Sequence, residues 1–135
     1  MAFNRAMSVI AVRDVVAARD WYARIGFAPH GTWGEPPGFC IVQRGDVSIA
    51  LERWTGEGPV PKKNGWAVYI YVDDADAFAA ELEEAGVSRN GPIYDSPWGM
   101  RDSAVDDLDG HTIAFGHPME PNPNGPGLSS DRGRG

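Results

Sequence analysis

The sequence predicts an α+β fold made of two copies of a strand–helix–three-strand module. Asp14 and Asp74 each precede an amphipathic helical stretch, and Gly26 and Gly86 each follow one, so helix starts and helix stops recur 60 residues apart (14 to 74, 26 to 86). In both copies an apolar run comes before the helix, and three short β-like runs separated by turn residues come after it. The recurrence of the whole order indicates an internal repeat.

The first module, placed at residues 5–54, begins with the strand AMSVIAV at 6–12. Asp14 caps a helix that continues to Ile25, because apolar residues recur there at helical spacing and Gly26 follows. One face of this helix carries Val15, Ala18, Tyr22 and Ile25. The three strands that follow are FAPHGTW, FCIVQRG and VSIALERW, and Gly, Pro and Asp residues separate them.

A Gly- and Pro-rich linker at 55–65, TGEGPVPKKNG, precedes the second module at 66–117. We expect residues 1–117 to form a single domain. The tail at 118–135 is rich in Pro, Gly, Ser and Asn, and we expect it to be disordered. The predicted elements of the second module are a strand at 66–72, a helix from Asp74 to Ala85, and strands near 92–95, 100–106 and 111–116.

Composition restricts the classes of function. The 135 residues are 42% hydrophobic and 23% charged, which is ordinary for a globular protein. The single cysteine, Cys40, permits no intrachain disulfide, and we find neither a secretory leader nor an apolar run of membrane-spanning length. We therefore expect a cytoplasmic protein with no membrane partner. The net charge of −7 argues against a nucleic-acid partner and favours either cationic ligands or simple solubility.

Three stretches of the chain carry a family resemblance: RGDVSIAL (44–51), PWGMRDSAVDDLDG (97–110) and DGHTIAF (109–115). They are similar to the bleomycin-resistance proteins of the glyoxalase, bleomycin-resistance and extradiol-dioxygenase group, the vicinal oxygen chelate superfamily. The turn DDLDG lacks that family's arginine and proline. The resemblance, over residues 5–117, implies two curled mixed sheets around a cavity, with the helices on the convex side. It also implies a homodimer in which modules of different chains complete each cavity.

Enzymes of this group hold a divalent metal with His, Gln or Glu side chains on the concave sheet faces. Carried onto this sequence, the ligand positions fall on Met7, Ala50, Ala67 and Ala114, and the repeat relates them in pairs (7 to 67, 50 to 114). Alanine has no donor atom, and methionine is a soft ligand suited to copper(I). The resemblance therefore implies no metal, no cofactor and no catalytic residue of the family type.

Two histidines, His111 and His117 in DGHTIAFGH, are the remaining candidates for metal ligands. Side chains alternate along a strand, so both histidines point away from the cavity if Ala114 faces it. His111 follows a polar turn, and His117 precedes Pro118 at the end of the domain. We interpret both as surface or strand-end histidines rather than metal ligands.

The same alternation indicates which side chains face the cavity. Alanines leave volume, tyrosines offer flat apolar surface with a polar tip, and Glu52 supplies negative charge. The resemblance adds Trp98 and Phe39, which match aromatic residues lining the drug crevice of bleomycin-resistance proteins, and Trp33 in a loop longer than the family's. The predicted ligand-binding residues are Trp33, Phe39, Ser48, Glu52, Tyr69, Tyr71, Trp98 and Met100.

These residues predict a non-catalytic, metal-free protein that sequesters a cationic aromatic antibiotic of the bleomycin type. Aromatic rings would stack on the ligand, and Glu52 together with the overall negative charge would attract its cation. Two alternatives stay open. One is a metal-dependent enzyme of the glyoxalase or dioxygenase type with displaced ligands, and the other is a binder of an unrelated metabolite that serves biosynthesis or sensing.

Overall fold

The computed structural model describes residues 1–119 and confirms the α+β class. Two four-stranded sheets have the strand orders β1-β4-β3-β2 and β5-β8-β7-β6. Of the predicted disordered tail, residues 120–135 lie outside the described part, and Pro118 is the last residue of a strand. The elements are β1 (Ser8–Val12), α1 (Val15–Arg24), β2 (Ala28–Trp33), β3 (Phe39–Arg44), β4 (Val47–Arg53), β5 (Trp66–Tyr71), α2 (Ala75–Glu84), β6 (Tyr94–Asp95), β7 (Met100–Asp106) and β8 (Thr112–Pro118).

The chain divides into two compact units. The first contains Met1–Val68 and Asp106–Thr112, and the second contains Tyr69–Val105 and the described residues from Ile113 to Met119. The first unit therefore holds the whole β1-β4-β3-β2 sheet, the linker and the turn that joins β7 to β8. Neither α1 nor α2 is long and apolar enough to cross a membrane, and no other helix among residues 1–119 is either.

In the first unit, α1 covers one face of the sheet. The carboxylate of Asp14 accepts a hydrogen bond from the backbone N–H of Ala17 (3.0 Å), as expected of an N-cap residue. The buried face of the helix carries Val15, Ala18 and Tyr22. The sheet residues buried beneath the helix are Ile10 and Val12 in β1 and Ile49 and Leu51 in β4. Side chains alternate along a strand, so the residues between them, Ala11 and the likewise buried Ala50, belong to the other face of the sheet.

The buried carboxylate of Asp107 ties the β7–β8 turn to α1. The Tyr22 hydroxyl donates to Asp107 Oδ2 (2.7 Å), while Asp107 Oδ1 accepts from the backbone N–H groups of Asp109 and His111, both at 2.9 Å. Burial, reinforced by the negative charge of Asp107, raises the pKa of Tyr22 far above its ordinary value. The hydroxyl therefore stays protonated and keeps donating to the carboxylate.

In the second unit, four contacts fix the start of α2. Asp74 Oδ1 accepts from the N–H groups of the first turn, and His117 Nδ1 accepts from Ala75 N–H at 2.8 Å. Phe78 packs edge-on against Phe115, with ring centroids 4.8 Å apart. Arg101 in β7 makes two 2.8 Å bonds to Asp76 of the helix. The same Asp at the same place in both modules confirms the predicted N-caps.

Replacement of Tyr22 by Phe tests the connection between α1 and the turn. Tyr22→Phe removes one donor from a buried carboxylate without changing the volume of the ring. We expect the free energy of unfolding to fall by about 1.5–3 kcal/mol, as for hydrogen bonds to charged groups. Urea unfolding measures this loss. Tyr94→Phe, at a half-exposed tyrosine in β6, is the matched control and should stay within about 0.5 kcal/mol of the unmodified chain. Equal stability of the two variants would contradict the role assigned to Tyr22.

Candidate functional site

A row of residues crosses the open face of the first sheet. In the register of the paired strands, Ala11 lies opposite Glu52, Glu52 opposite Phe39, and Phe39 opposite Trp33. The rings of Trp33 and Phe39 are 5.9 Å apart between centroids and tilted by 49°. Cross-strand neighbours on one face are in direct contact range. The structure therefore places three of the predicted ligand-binding residues, Trp33, Phe39 and Glu52, side by side, and we call them the aromatic–acid row.

The aromatic–acid row is accessible from outside. Trp33 is 52% exposed, Glu52 is exposed and Phe39 is half-buried. Within residues 1–119, no hydrogen-bond or ion-pair partner is found for the Glu52 carboxylate. A negative charge next to aromatic faces is suited to a planar cation, which gains from both the ring quadrupole and the carboxylate.

A cavity of about 440 Å³ in the first unit begins at Glu52. Its lining combines apolar side chains with both signs of charge, and it comprises Val9, Ile10, Ala11, Glu52, Pro61, Lys62, Lys63, Ala67 and His111. Lys62 and Lys63 come from the linker. Neither lysine was predicted from the sequence, because a linker recognised by composition has no periodicity from which to predict where its side chains point.

Ser48 is half-buried and shares a sheet face with Glu52, at the other end of β4. The two residues are four positions apart along the strand, or roughly 13 Å at 3.3–3.4 Å per residue. Ser48 pairs with Gln43 rather than with a member of the aromatic–acid row. It therefore belongs to the same surface but not to the row itself.

In the second unit, Tyr69 and Tyr71 lie close together, with ring centroids 5.1 Å apart. The Tyr69 hydroxyl donates to Asp102 Oδ2 at 3.1 Å. Asp102 was not among the predicted residues, although its side chain is only 5% exposed. A carboxylate buried at this level needs a partner, and Tyr69 provides one.

The Tyr69–Asp102 pair depends on Gly116 in β8. A Cβ at this position would collide with the Tyr69 hydroxyl, lie 2.6 Å from Asp102 Cβ and lie 2.9 Å from the Arg101 carbonyl oxygen. The bare glycine lets the Tyr69 ring cross the strand and reach the carboxylate. Burial raises the pKa of Asp102, and the hydrogen bond from Tyr69 offsets part of that rise.

Trp98 lies in a tight turn before β7. The N–H of Ser96 donates to the carbonyl of Met100 at 2.7 Å, and the hydroxyl of Ser96 accepts from the N–H of Met100 at 3.0 Å. This turn leaves Trp98 44% exposed. Met100 differs from the other predicted ligand-binding residues because it is fully buried and offers no surface to a ligand in this structure.

The family's metal-ligand positions do not fit a metal. Met7 is 40% exposed and Ala67 half-buried, whereas Ala50 and Ala114 are fully buried. None of the three alanines has a donor atom. Over residues 1–119, no group of three or more His, Cys, Asp or Glu side chains is arranged to hold a metal ion.

Both histidines of DGHTIAFGH are engaged by the fold. His117 Nδ1 accepts the Ala75 N–H bond described above. His111 was expected at the surface or at a strand end, facing away from the cavity. It does directly precede β8, but it is 3% exposed and lines the cavity at Glu52, so the expected exposure and direction were wrong. His111 Nε2 lies 2.6 Å from the Ala11 carbonyl oxygen, so Nε2 carries the proton and donates it. The turn held by Asp107 directs the ring inward, which a polar residue after a turn does not by itself reveal.

A match to a family model identifies the superfamily of this chain. The model of the Glyoxalase/Bleomycin resistance protein/Dioxygenase superfamily matches residues 3–115. The chain therefore belongs to this superfamily, whose name joins resistance proteins with two classes of enzyme. No curated protein matched the sequence.

Solved structures share the fold. A bleomycin resistance determinant encoded on the transposon Tn5 superposes with a TM-score of 0.72 at 21% identity, over 87% of this chain and 99% of that one. TnmS3, an antibiotic binding protein from Streptomyces sp. CB03234, gives 0.64 at 28% identity, over 88% and 99%. A lactoylglutathione lyase from Agrobacterium tumefaciens gives 0.64 at 16% identity, over 84% and 92%. The fold is thus shared by binding proteins and by an enzyme.

Gly116→Ala tests the close approach of Tyr69 to β8. Alanine normally stabilises a strand relative to glycine, because glycine loses more backbone entropy on folding. Here the added methyl group meets Tyr69, Asp102 and backbone, so we expect a loss of about 1–3 kcal/mol in the free energy of unfolding. Gly91→Ala, where a Cβ meets nothing within 4 Å, is the control. A Gly116→Ala variant as stable as that control would refute the predicted contact.

The raised pKa of Asp102 predicts how its stability contribution changes with pH. The folded chain holds this proton more tightly than the unfolded chain, whose carboxyl keeps the ordinary value of 3.8. Stability is therefore lost as the pH rises from the pKa of the unfolded chain through the higher pKa of the folded chain. In Asp102→Asn, the amide oxygen still accepts from Tyr69 but cannot ionise. We expect this variant to gain stability relative to the unmodified chain on going from about pH 4 to about pH 7.

Urea unfolding at the two pH values measures this difference. Asp46→Asn, in the exposed turn between β3 and β4, removes the same charge without affecting a buried group. The change in unfolding free energy caused by Asp102→Asn should differ between the two pH values and differ from that of Asp46→Asn. If it does neither, the ionisation of Asp102 does not destabilise the fold.

Proposed function

We propose that this protein binds a planar, cationic aromatic small molecule, such as an antibiotic of the bleomycin type, and protects by sequestration rather than by turnover. The observation that carries the proposal is the aromatic–acid row. Its carboxylate has no partner within residues 1–119 and stands beside two accessible rings. Stacking and charge attraction then act on the same ligand group.

The chemistry of the family's ligand positions supports binding over catalysis. A metal that polarises a substrate oxygen needs several fixed donor atoms and an open coordination position. Met7, Ala50, Ala67 and Ala114 supply neither. The 28% identity with TnmS3, an antibiotic binding protein, supports the same assignment.

We also keep Tyr69, Tyr71 and Trp98 of the second unit as proposed ligand-binding aromatic residues, and Ser48 of the first unit as a proposed polar contact. Met100 supports the turn of Trp98 from below rather than contacting the ligand. We also propose that the protein acts in the cytoplasm as a homodimer. Size-exclusion chromatography with light scattering measures the number of chains in the assembly.

Calorimetric titration with metal-free bleomycin tests the function. We expect saturable binding to the unmodified chain. Trp33→Ala should weaken it by about 0.5–2 kcal/mol, because a stacking and cation–π face is lost, whereas Trp33→Phe should retain most of the affinity. Glu52→Gln should weaken binding by up to about 1 kcal/mol and reduce its dependence on salt. Glu84→Gln, an equal charge change at the exposed end of α2, is the control.

Two results would contradict parts of this proposal. The absence of heat with bleomycin would exclude this antibiotic class and leave a binder of another metabolite. Stoichiometric zinc, nickel, manganese or iron in the purified protein would favour the alternative of a metal-dependent enzyme with displaced ligands. Elemental analysis separates that alternative from the binding protein before any ligand is known.

A further inference from the structure

The cavity that begins at Glu52 contains charges of both signs. Glu52 lies at the end shared with the aromatic–acid row, and Lys62 and Lys63 line the same cavity from the linker. Within residues 1–119, no ion pair joins either lysine to Glu52 or to another carboxylate. Most of the remaining lining is apolar, including Val9 and Ala67. Three charged side chains therefore surround one volume without neutralising one another.

The linker that carries the lysines is held against the first unit. The guanidinium of Arg13, just after β1, donates to the carbonyl oxygen of Gly58 at 2.5 Å. The ammonium of Lys62 lies over Gly110, where a Cβ would come within 2.9 Å of Nζ. Gly110 has φ +88°, a conformation that suits glycine, so the turn leaves this space for the lysine. The position of Lys62 is thus coupled to the folded turn.

This arrangement limits what the cavity accepts. A ligand that carried only positive charge would meet two ammonium groups as soon as it extended from Glu52 along Val9 and Ala11. Like charges at such range repel one another, and the exposure of both lysines to water screens part of this repulsion. An anionic group at the lysine end of the cavity is attracted by the two ammonium groups, whereas a cationic group there is repelled.

We propose that the ligand is amphoteric: its aromatic cation binds at the aromatic–acid row, and an acidic group on the same molecule binds Lys62 and Lys63. This inference rests on the proposed function, because it assigns the other end of the same ligand. It narrows the ligand class to aromatic molecules that carry both a cationic ring system and an anionic substituent.

Two dyes that differ in one group test the proposal. Rhodamine B carries a cationic planar ring system and a free carboxylate, and in its ethyl ester that carboxylate is blocked. Fluorescence anisotropy gives the affinity of each dye for the full chain. We expect rhodamine B to bind about fivefold more tightly than the ester, the scale of one exposed ion pair. Lys62→Gln should reduce this preference, and Lys62→Gln combined with Lys63→Gln should abolish it.

Matched variants separate the local effect from overall charge. Arg53→Gln removes one positive charge from the residue next to Glu52 in β4, whose side chain points to the opposite face, and it should leave the preference unchanged. Glu52→Gln should weaken the binding of both dyes and leave the ratio of their affinities unchanged. Circular dichroism and thermal unfolding show whether each variant is folded.

The outcomes distinguish this inference from the function on which it rests. Equal binding of both dyes, or an equal effect of Lys62→Gln and Arg53→Gln, would overturn the amphoteric ligand while leaving the binding of aromatic cations intact. A different result would overturn the proposed function and this inference with it. In that case neither dye binds, and neither Glu52→Gln nor Trp33→Ala changes the affinity for bleomycin.

Discussion

The pairing of β4 with β1 on one side and β3 on the other fixes both the core and the candidate site. Ile49 and Leu51 are fully buried on the face covered by α1, so the residues between and after them must point the other way. A slip of one residue would move Glu52 to the covered face, where a carboxylate would have no partner. The apolar contacts beneath α1 thus hold the aromatic–acid row outward, and the stability of the sheet and the chemistry of the site depend on the same register.

The two modules use this scaffold in different ways. Glu52 in the last strand of the first module and Gly116 in the last strand of the second occupy equivalent positions of the repeat, 64 residues apart. The second module therefore has a glycine where the first has a carboxylate. The missing side chain lets Tyr69 cross the strand and pair with Asp102 on the neighbouring one. One module therefore presents an exposed carboxylate without a partner in the described residues, and the other contains a buried and hydrogen-bonded one. Of these two acids, Glu52 is the one whose charge remains available to a ligand.

Local signals were sufficient to predict the fold. The caps at Asp14 and Asp74 and the period of two along the strands predicted the elements and the direction of Glu52, whereas Phe39 was expected only from the family resemblance. Contacts distant in sequence were not predictable in this way. The depth of Asp102 depends on a glycine in another strand, and the burial of His111 depends on the Ala11 carbonyl, one hundred residues earlier. Lys62 and Lys63 were missed because a linker without periodicity gives no indication of side-chain direction.

Net charge and local charge lead to different expectations about the ligand. The total of −7 attracts cations over long distances, but at physiological salt such attraction falls off over about 8–10 Å. Inside the cavity, side chains a few ångströms from the ligand outweigh the distant charges, and there two lysines oppose one glutamate. Overall acidity therefore affects which molecules approach, whereas the linker and β4 determine which of them stay. A composition-based argument for a purely cationic ligand addresses only the first of these steps.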